Sequence, residues 1–597
     1  MNLLKVAFGL VSVALVVGAK PLSPEVVQIR AVAHRGLWDD TVAENTVEAI
    51  RRAYAAGAEC VETDFHEEAD GRMMCYHDRG QVAKVKAKYA DYRMPTLEEV
   101  LAVVPKDREV QAEIKTYGPG YAEKFVKAVA AAGLTAKNVT VSSFDYAALR
   151  DFKARHPEFA ALWLVKLTEK SDVKAIIAEA KASKFDVVCP GCASTFGTFS
   201  PKDADAVKAA GLDFRVYGVN TPSEFRRAIQ LGATGFTSDN FLESRKWAAA
   251  KMPRRGFCAH RGDRASCPEN TPIAIRTAIE KGAEMVEFDL QRCKTGEIVV
   301  MHDLKVDRTT NGKGHVMEMT FDELRALDAG VKAGEQFRGI PVPTLDEMLA
   351  VIPKEGVWIN FHCYYADIRC IAEEVAEKLT KEGRLHQGIL AANEAHIAEA
   401  REKWPDVITC DMSRPGGYSP GWPPERIKAY SDTAISNRCD SLQYFCSGTA
   451  EDFEYARRNG LTVNYFMADD PEDCARLFAD GVDFILTNDL DAQRNAALMK
   501  DAAAATKAAT LVPARMPDGW PSTLALACSF NPSAVAEAMS VAAQEVALAG
   551  GKFVTVPDFE KAIAPLAATP SRTCRPRGRG LTACRVLGMP TCGVRRR

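Results

Sequence analysis

Two tandem (β/α)₈ barrels are the fold class that this 597-residue sequence predicts. Three observations carry the prediction. An ordered set of polar clusters occurs twice along the chain. Within each copy, short β-branched runs alternate with amphipathic helical stretches. No Gly-x-Gly-x-x-Gly turn follows a first strand, which disfavours the competing reading, an open doubly wound sheet binding a dinucleotide.

The repeat is read first. Ala33-His34-Arg35-Gly36 returns as Ala259-His260-Arg261-Gly262. Glu44-Asn45-Thr46 returns as Glu269-Asn270-Thr271, and Glu62 and Asp64 return as Glu287 and Asp289. His77-Asp78 returns as His302-Asp303, and Pro95-Thr96-Leu97 as Pro343-Thr344-Leu345. Near the ends, Thr237 matches Thr487, so the copies span 25–248 and 254–498. The segments around Val61–Phe65, Met73–Asp78 and Val110–Lys115 read as strands, and Ala43–Ala56 and Tyr121–Ala132 as amphipathic helices.

Strand parity places chemistry on one face. Side chains alternate, so Glu62 and Asp64 point the same way, as do Glu113 and Lys115. Carboxylates at the C-terminal ends of barrel strands stand where such folds build their sites. Glu62, Asp64 and Glu113 form an oxygen-rich set suited to Mg²⁺ or Ca²⁺. His34 and His77 each follow an apolar run and suit acid and base roles. Arg35 and Lys115 can hold an anion. A cation, two histidines and two basic side chains around one anion suit phosphoryl transfer. Taken singly, a Glu-x-Asp is an ordinary strand end and a His-Asp an ordinary turn; duplication in order argues against that.

These motifs resemble the glycerophosphodiester phosphodiesterases, over about residues 30–490. The resemblance implies a barrel of the phospholipase-C-like phosphodiesterase type. It implies hydrolysis of glycerophosphodiesters to glycerol 3-phosphate and an alcohol. By resemblance Glu62, Asp64 and Glu113 hold a divalent metal, His34 and His77 are the acid/base pair, and Arg35 and Lys115 contact phosphate. Glu44 and Asn45 support the first loop. In the second copy the matching positions are His260, His302, Arg261, Glu287 and Asp289.

The copies differ. The first has only Asp78–Arg93 before its Pro-Thr-Leu segment, where the family carries an insertion; the second has the insertion, including Arg308-Thr309-Thr310-Asn311-Gly312. The second copy's Glu-x-Lys strand reads Trp358-Ile359-Asn360-Phe361-His362. Asn360 therefore stands for the metal-binding Glu and His362 for the Lys. The first barrel is expected to carry the activity.

Composition bounds the rest. The chain is 47% hydrophobic and 26% charged, which fits a soluble globular protein of about two to four domains. With 76 Lys+Arg against 79 Asp+Glu, the net charge of -3 does not suggest a nucleic-acid binder. Lys5 followed by the apolar run Val6–Ala19 reads as a signal peptide cleaved after Ala19, hence export. That run is shorter than the roughly 20 residues of a membrane span. The 17 cysteines are too dilute for a disulfide scaffold. Cys60 and Cys75 read as buried small hydrophobes, and Cys189-Pro190-Gly191-Cys192 as a strand-end loop. Residues 499–512 read as an Ala-rich linker. Residues 513–566 resemble a fragment of the family-3 glycoside hydrolase N-terminal domain, with no activity assigned. Residues 567–597 read as an Arg-rich disordered tail. Three functions fit: a metal-dependent phosphodiesterase, a lyase-like relative giving a cyclic phosphate, or a phosphodiester-binding protein without turnover. The intact first copy argues against the third.

Overall fold

The computed structural model describes residue 26 and residues 28–363, 369–413 and 421–491. The expected signal peptide 1–19, linker 499–512, fragment 513–566 and tail 567–597 lie outside the described residues.

The first barrel runs β1 Arg30–His34, β2 Cys60–Glu67, β3 Met73–Cys75, β4 Glu109–Ile114, β5 Val139–Ser143, β6 Ala160–Val165, β7 Val187–Pro190, β8 Asp213–Val216 and β9 Gly235–Ser238. The second runs β10 Gly256–Ala259, β11 Met285–Arg292, β12 Ile298–Val300, β13 Trp358–His362, β14 Gly388–Ala392, β15 Ile408–Asp411, β16 Ser441–Phe445, β17 Thr462–Phe466 and β18 Phe484–Thr487. In each, eight strands are parallel and the first pairs with both the second and the last, which closes the barrel. β3 and β12 add as antiparallel ribbons on β2 and β11. These strands are buried on both faces, as a parallel sheet under helices requires.

Helices start where the motifs supply caps. Thr46 accepts from the Ala49 N–H and opens the helix Val47–Ala55, which turns Ala49, Ile50 and Ala53 inward. Thr96 and Glu99 form a capping box for Leu97–Leu101, as Thr344 and Glu347 do for Leu345–Ala350. The repeated Pro-Thr-Leu motif thus organises a helix start rather than chemistry.

Both barrels belong to one compact unit, and their buried apolar side chains form one continuous cluster. The helix Pro222–Leu231 carries the join. Buried Arg227 donates to the backbone oxygens of Thr195 and Phe199 in its own barrel, and of Arg457 in the other. Gln230 donates to the Leu461 carbonyl, and the Arg226 guanidinium lies 4.7 Å over the Trp358 ring. The insertion after His302 packs a small core of its own, including Val306, Val316, Leu324 and Val342. In the first barrel the short equivalent holds a 3-10 turn, Arg79–Gln81, and the helix Val82–Lys88.

Strand register corrects two sequence alignments. Asp64 pairs with Glu113 across β2 and β4, and Asp289 pairs with His362 across β11 and β13. Glu62 faces Gln111, and Glu287 faces Asn360. His362 therefore occupies the place of Glu113, and Asn360 that of Gln111. The second copy has one more residue between Pro343 and this strand than the ungapped match allows, and period-two alternation hides the slip. The place of Lys115 falls on Tyr364, outside the described residues. Likewise Ala33 faces Ser238 while Ala259 faces Thr487, so Asp239 corresponds to Asn488.

No helix among the described residues is long and apolar enough to cross a membrane. The cysteines whose side chains are described are free, and Cys60, Cys75, Cys189 and Cys192 are buried.

Candidate functional site

The His-Arg-Gly and Glu-Asn-Thr motifs build one backbone device. After β1 the chain enters left-handed conformations at Arg35 (φ 58°) and Gly36 (φ 90°), and again at Asn45 (φ 57°). A Cβ on Gly36 would stand 2.6 Å from the carbonyl carbon of Ala49, so only glycine fits against the following helix. Asn45 N–H donates to the Arg35 carbonyl (3.0 Å), and Arg35 N–H to the Glu62 carbonyl (2.9 Å). The turn delivers the three side chains. Glu44 pairs with Arg35 (2.9 Å), Asn45 donates to Asp64 Oδ2 (2.7 Å), and Thr46 caps the helix. The second barrel repeats this through Arg261, Gly262, Glu269, Asn270 and Thr271.

Three carboxylates converge at the mouth of the first barrel. Oxygens of Glu62, Asp64 and Glu113 all lie within 4.8 Å of one another, and all three residues are buried. Burial, then Asp64 and Glu113, push Glu62 well above the usual carboxylate range. Burial, then Asp64, push Glu113 up to about 7. Burial acts on Asp64 too, but Lys115 and Arg35 outweigh it and hold that carboxyl down. Lys115 Nζ stands 2.8 Å from Glu113 and 3.1 Å from Asp64, and Arg35 Nε 3.3 Å from Asp64. Glu62 Oε1 is buried with no hydrogen-bond partner. An orphaned carboxylate oxygen in an all-oxygen donor set fits a hard divalent cation.

The two histidines flank this cluster in different surroundings. His34 Nδ1 meets Asp239 Oδ1 at 2.6 Å, which turns Nε2 toward Glu62, 3.7 Å away. Asp239 is in turn held by Asn220 Nδ2 (2.9 Å). Burial raises the Asp239 carboxyl, but the His34 bond outweighs it. Burial, and next the Arg35 guanidinium, hold His77 down to about 4, so it is a neutral imidazole near pH 7. Sequence reasoning missed Asp239. Its only signal was position, directly after the last barrel strand.

The second barrel brings Glu287, Asp289 and His362 together, again with donor atoms within 4.8 Å. His362 Nδ1 is 2.8 Å from Glu287 Oε1 and 3.7 Å from Asp289 Oδ1. His260 Nδ1 meets a neutral amide oxygen, Asn488 Oδ1, at 2.7 Å, where His34 meets a carboxylate. His302 Nδ1 contacts Asp303 at 2.6 Å. Arg261 and the insertion's Arg308 share Glu269, and although burial opposes it, Arg308 leads in holding that carboxyl at about 2. A cavity of about 560 Å³ opens beside His260, Arg261, Arg264 and Asn488.

The glycerophosphoryl diester phosphodiesterase family model matches residues 34–243 and 260–383, together more than half of the chain. A glycerophosphodiester phosphodiesterase from Caldanaerobacter subterraneus subsp. tengcongensis is 33% identical over 238 residues, which covers 39% of this chain and 93% of that protein. Human glycerophosphodiester phosphodiesterase 1 is 38% identical over 125 residues, covering 21% of this chain and 36% of that one. Among solved structures, a glycerophosphodiester phosphodiesterase from Agrobacterium tumefaciens aligns at 23% identity with a TM-score of 0.34, over 40% of this chain and 99% of that one.

Proposed function

Because the chain belongs to the glycerophosphoryl diester phosphodiesterase family, we propose that its first barrel hydrolyses glycerophosphodiesters to glycerol 3-phosphate and an alcohol with a divalent cation. One observation carries the reading: Glu62, Asp64 and Glu113 converge beside Arg35, Lys115 and His34 at the strand ends of a closed barrel.

Mg²⁺ or Ca²⁺ bound by these carboxylates would supply positive charge to the phosphate oxygens. Arg35 and Lys115, both fixed by Asp64, add cations where the diester's charge grows in the transition state. His77, a neutral imidazole, accepts the proton of the attacking water or substrate hydroxyl. His34, backed by the Asp239 carboxylate, carries the proton for the departing alkoxide. The turn at Arg35 and Asn45 keeps Arg35, Glu62 and Asp64 in register, so substrate meets a preformed site.

Phosphorus NMR of the products separates hydrolysis from the lyase-like route: a free phosphomonoester is expected, not a cyclic phosphate. The same assay run with chelator should lose turnover, and added Mg²⁺ or Ca²⁺ should restore it. Undiminished turnover after exhaustive chelation would remove the cation from this reading. We also propose export, on the strength of Lys5 and Val6–Ala19. N-terminal sequencing of the mature protein should begin at Lys20.

A further inference from the structure

We propose that Glu287, Asp289 and His362 form a mixed oxygen–nitrogen cation site that takes a transition metal of the cobalt or zinc class in preference to Mg²⁺ or Ca²⁺. The two barrels would then share a fold and differ in metal.

The argument starts from the register. His362 stands opposite Asp289 as Glu113 stands opposite Asp64, so the side chain that completes the cluster is an imidazole. Glu287, Asp289 and His362 are buried and converge within the same 4.8 Å as the first barrel's carboxylates. Two carboxylates in place of three weaken the hold on a hard ion, which needs anionic oxygen. An sp² nitrogen adds most for cobalt, nickel, copper and zinc ions, following ligand softness and the Irving–Williams order.

The surroundings of the ring fit this use. His362 Nδ1 faces both carboxylates, so that nitrogen points into the cluster. The other nitrogen, Nε2, lies 3.4 Å from the Asn360 side-chain amide. Asn360 Oδ1 is buried with no hydrogen-bond partner. Exchange of the amide's two ends would let Oδ1 accept an Nε2–H, the bond that normally orients a metal-binding imidazole. In the first barrel Gln111 occupies the matching place and donates to Ser142 Oγ (3.4 Å). Asn360 is thus suited to a histidine ligand beside it.

This proposal rests on the reading of the first barrel as a cation site, and the test keeps the two apart. The full-length chain carrying Glu62→Gln and Asp64→Asn leaves only the second site, and Co²⁺ is the probe. We expect one Co²⁺ per chain, displaced by stoichiometric Zn²⁺ and not by a large excess of Mg²⁺ or Ca²⁺. The Co²⁺ form should give a paramagnetically shifted, exchangeable imidazole N–H proton resonance, which needs no substitution at His362. His362→Gln should lose the Co²⁺. His362→Glu, which restores the first barrel's donor set, should let Mg²⁺ or Ca²⁺ compete. Absence of Co²⁺ from the folded protein, or Co²⁺ bound without the shifted imidazole proton, overturns the proposal. The reciprocal chain, Glu287→Gln with Asp289→Asn, is tested for Mg²⁺ and Ca²⁺; loss of binding there would defeat the first-barrel reading alone.

Discussion

Asp239→Asn is the sharpest probe of the first barrel, because the second barrel already carries Asn488 at that place. The substitution keeps size and shape but removes the charge that meets His34 Nδ1 at 2.6 Å. A hydrogen bond to a charged partner contributes about 1.5–3 kcal/mol net. The Asp239 side chain is 38% exposed, so solvent screening reduces this to about 1–2 kcal/mol. Since 1.36 kcal/mol corresponds to a factor of ten in rate, kcat should fall about tenfold. The sign follows from the role. The carboxylate fixes the ring so that Nε2 faces Glu62, and losing its charge loosens the ring that carries the proton for the leaving alkoxide. The assay is glycerol 3-phosphate release near pH 7, with kcat and KM separated. An unchanged kcat, or a loss seen only in KM, would refute the assignment of Asp239 as the positioning partner of His34.

Replacing His34 or His77 with Ala should cost about 10²–10⁴ in turnover, with melting temperature nearly unchanged because both lie at the mouth. Near-native turnover in either variant removes its role. His77, held down to about 4 by burial and then Arg35, must be neutral to act as base. Its protonation should therefore not limit turnover until pH drops toward 4, and an acid limb nearer 7 in a pH–rate profile reports Glu113, which burial pushes up to about 7. Glu62→Ala should abolish diesterase turnover and Glu287→Ala leave most of it; the reverse would make the second barrel the active copy. Arg227→Met should lower stability by at least about 3 kcal/mol, because backbone oxygens in both barrels lose a buried donor. A denaturant midpoint equal to that of the native chain would refute the claim that Arg227 braces the join.

The repeat, the barrel class and the cluster of Glu62, Asp64 and Glu113 were legible in the chain because they rest on local facts. Strand parity fixes which side chains share a face, and repeated motifs fix which loops match. The structural reason for each motif residue was only half legible. Thr46 and Thr96 read as signature residues, and the fold makes them helix caps. What depends on pairing across strands could not be read along one strand. The choice between Asn360 and His362 as third donor is a two-residue difference in register between β11 and β13, and only the hydrogen-bonded ladder resolves it. Likewise Asp239 and Asn488 meet His34 and His260 from more than two hundred residues away, because closing each barrel lays its last strand beside its first. Sequence determines which chemical groups are present and which face each strand offers. Barrel closure and register decide which of them meet, and so whether a histidine faces a carboxylate or an amide.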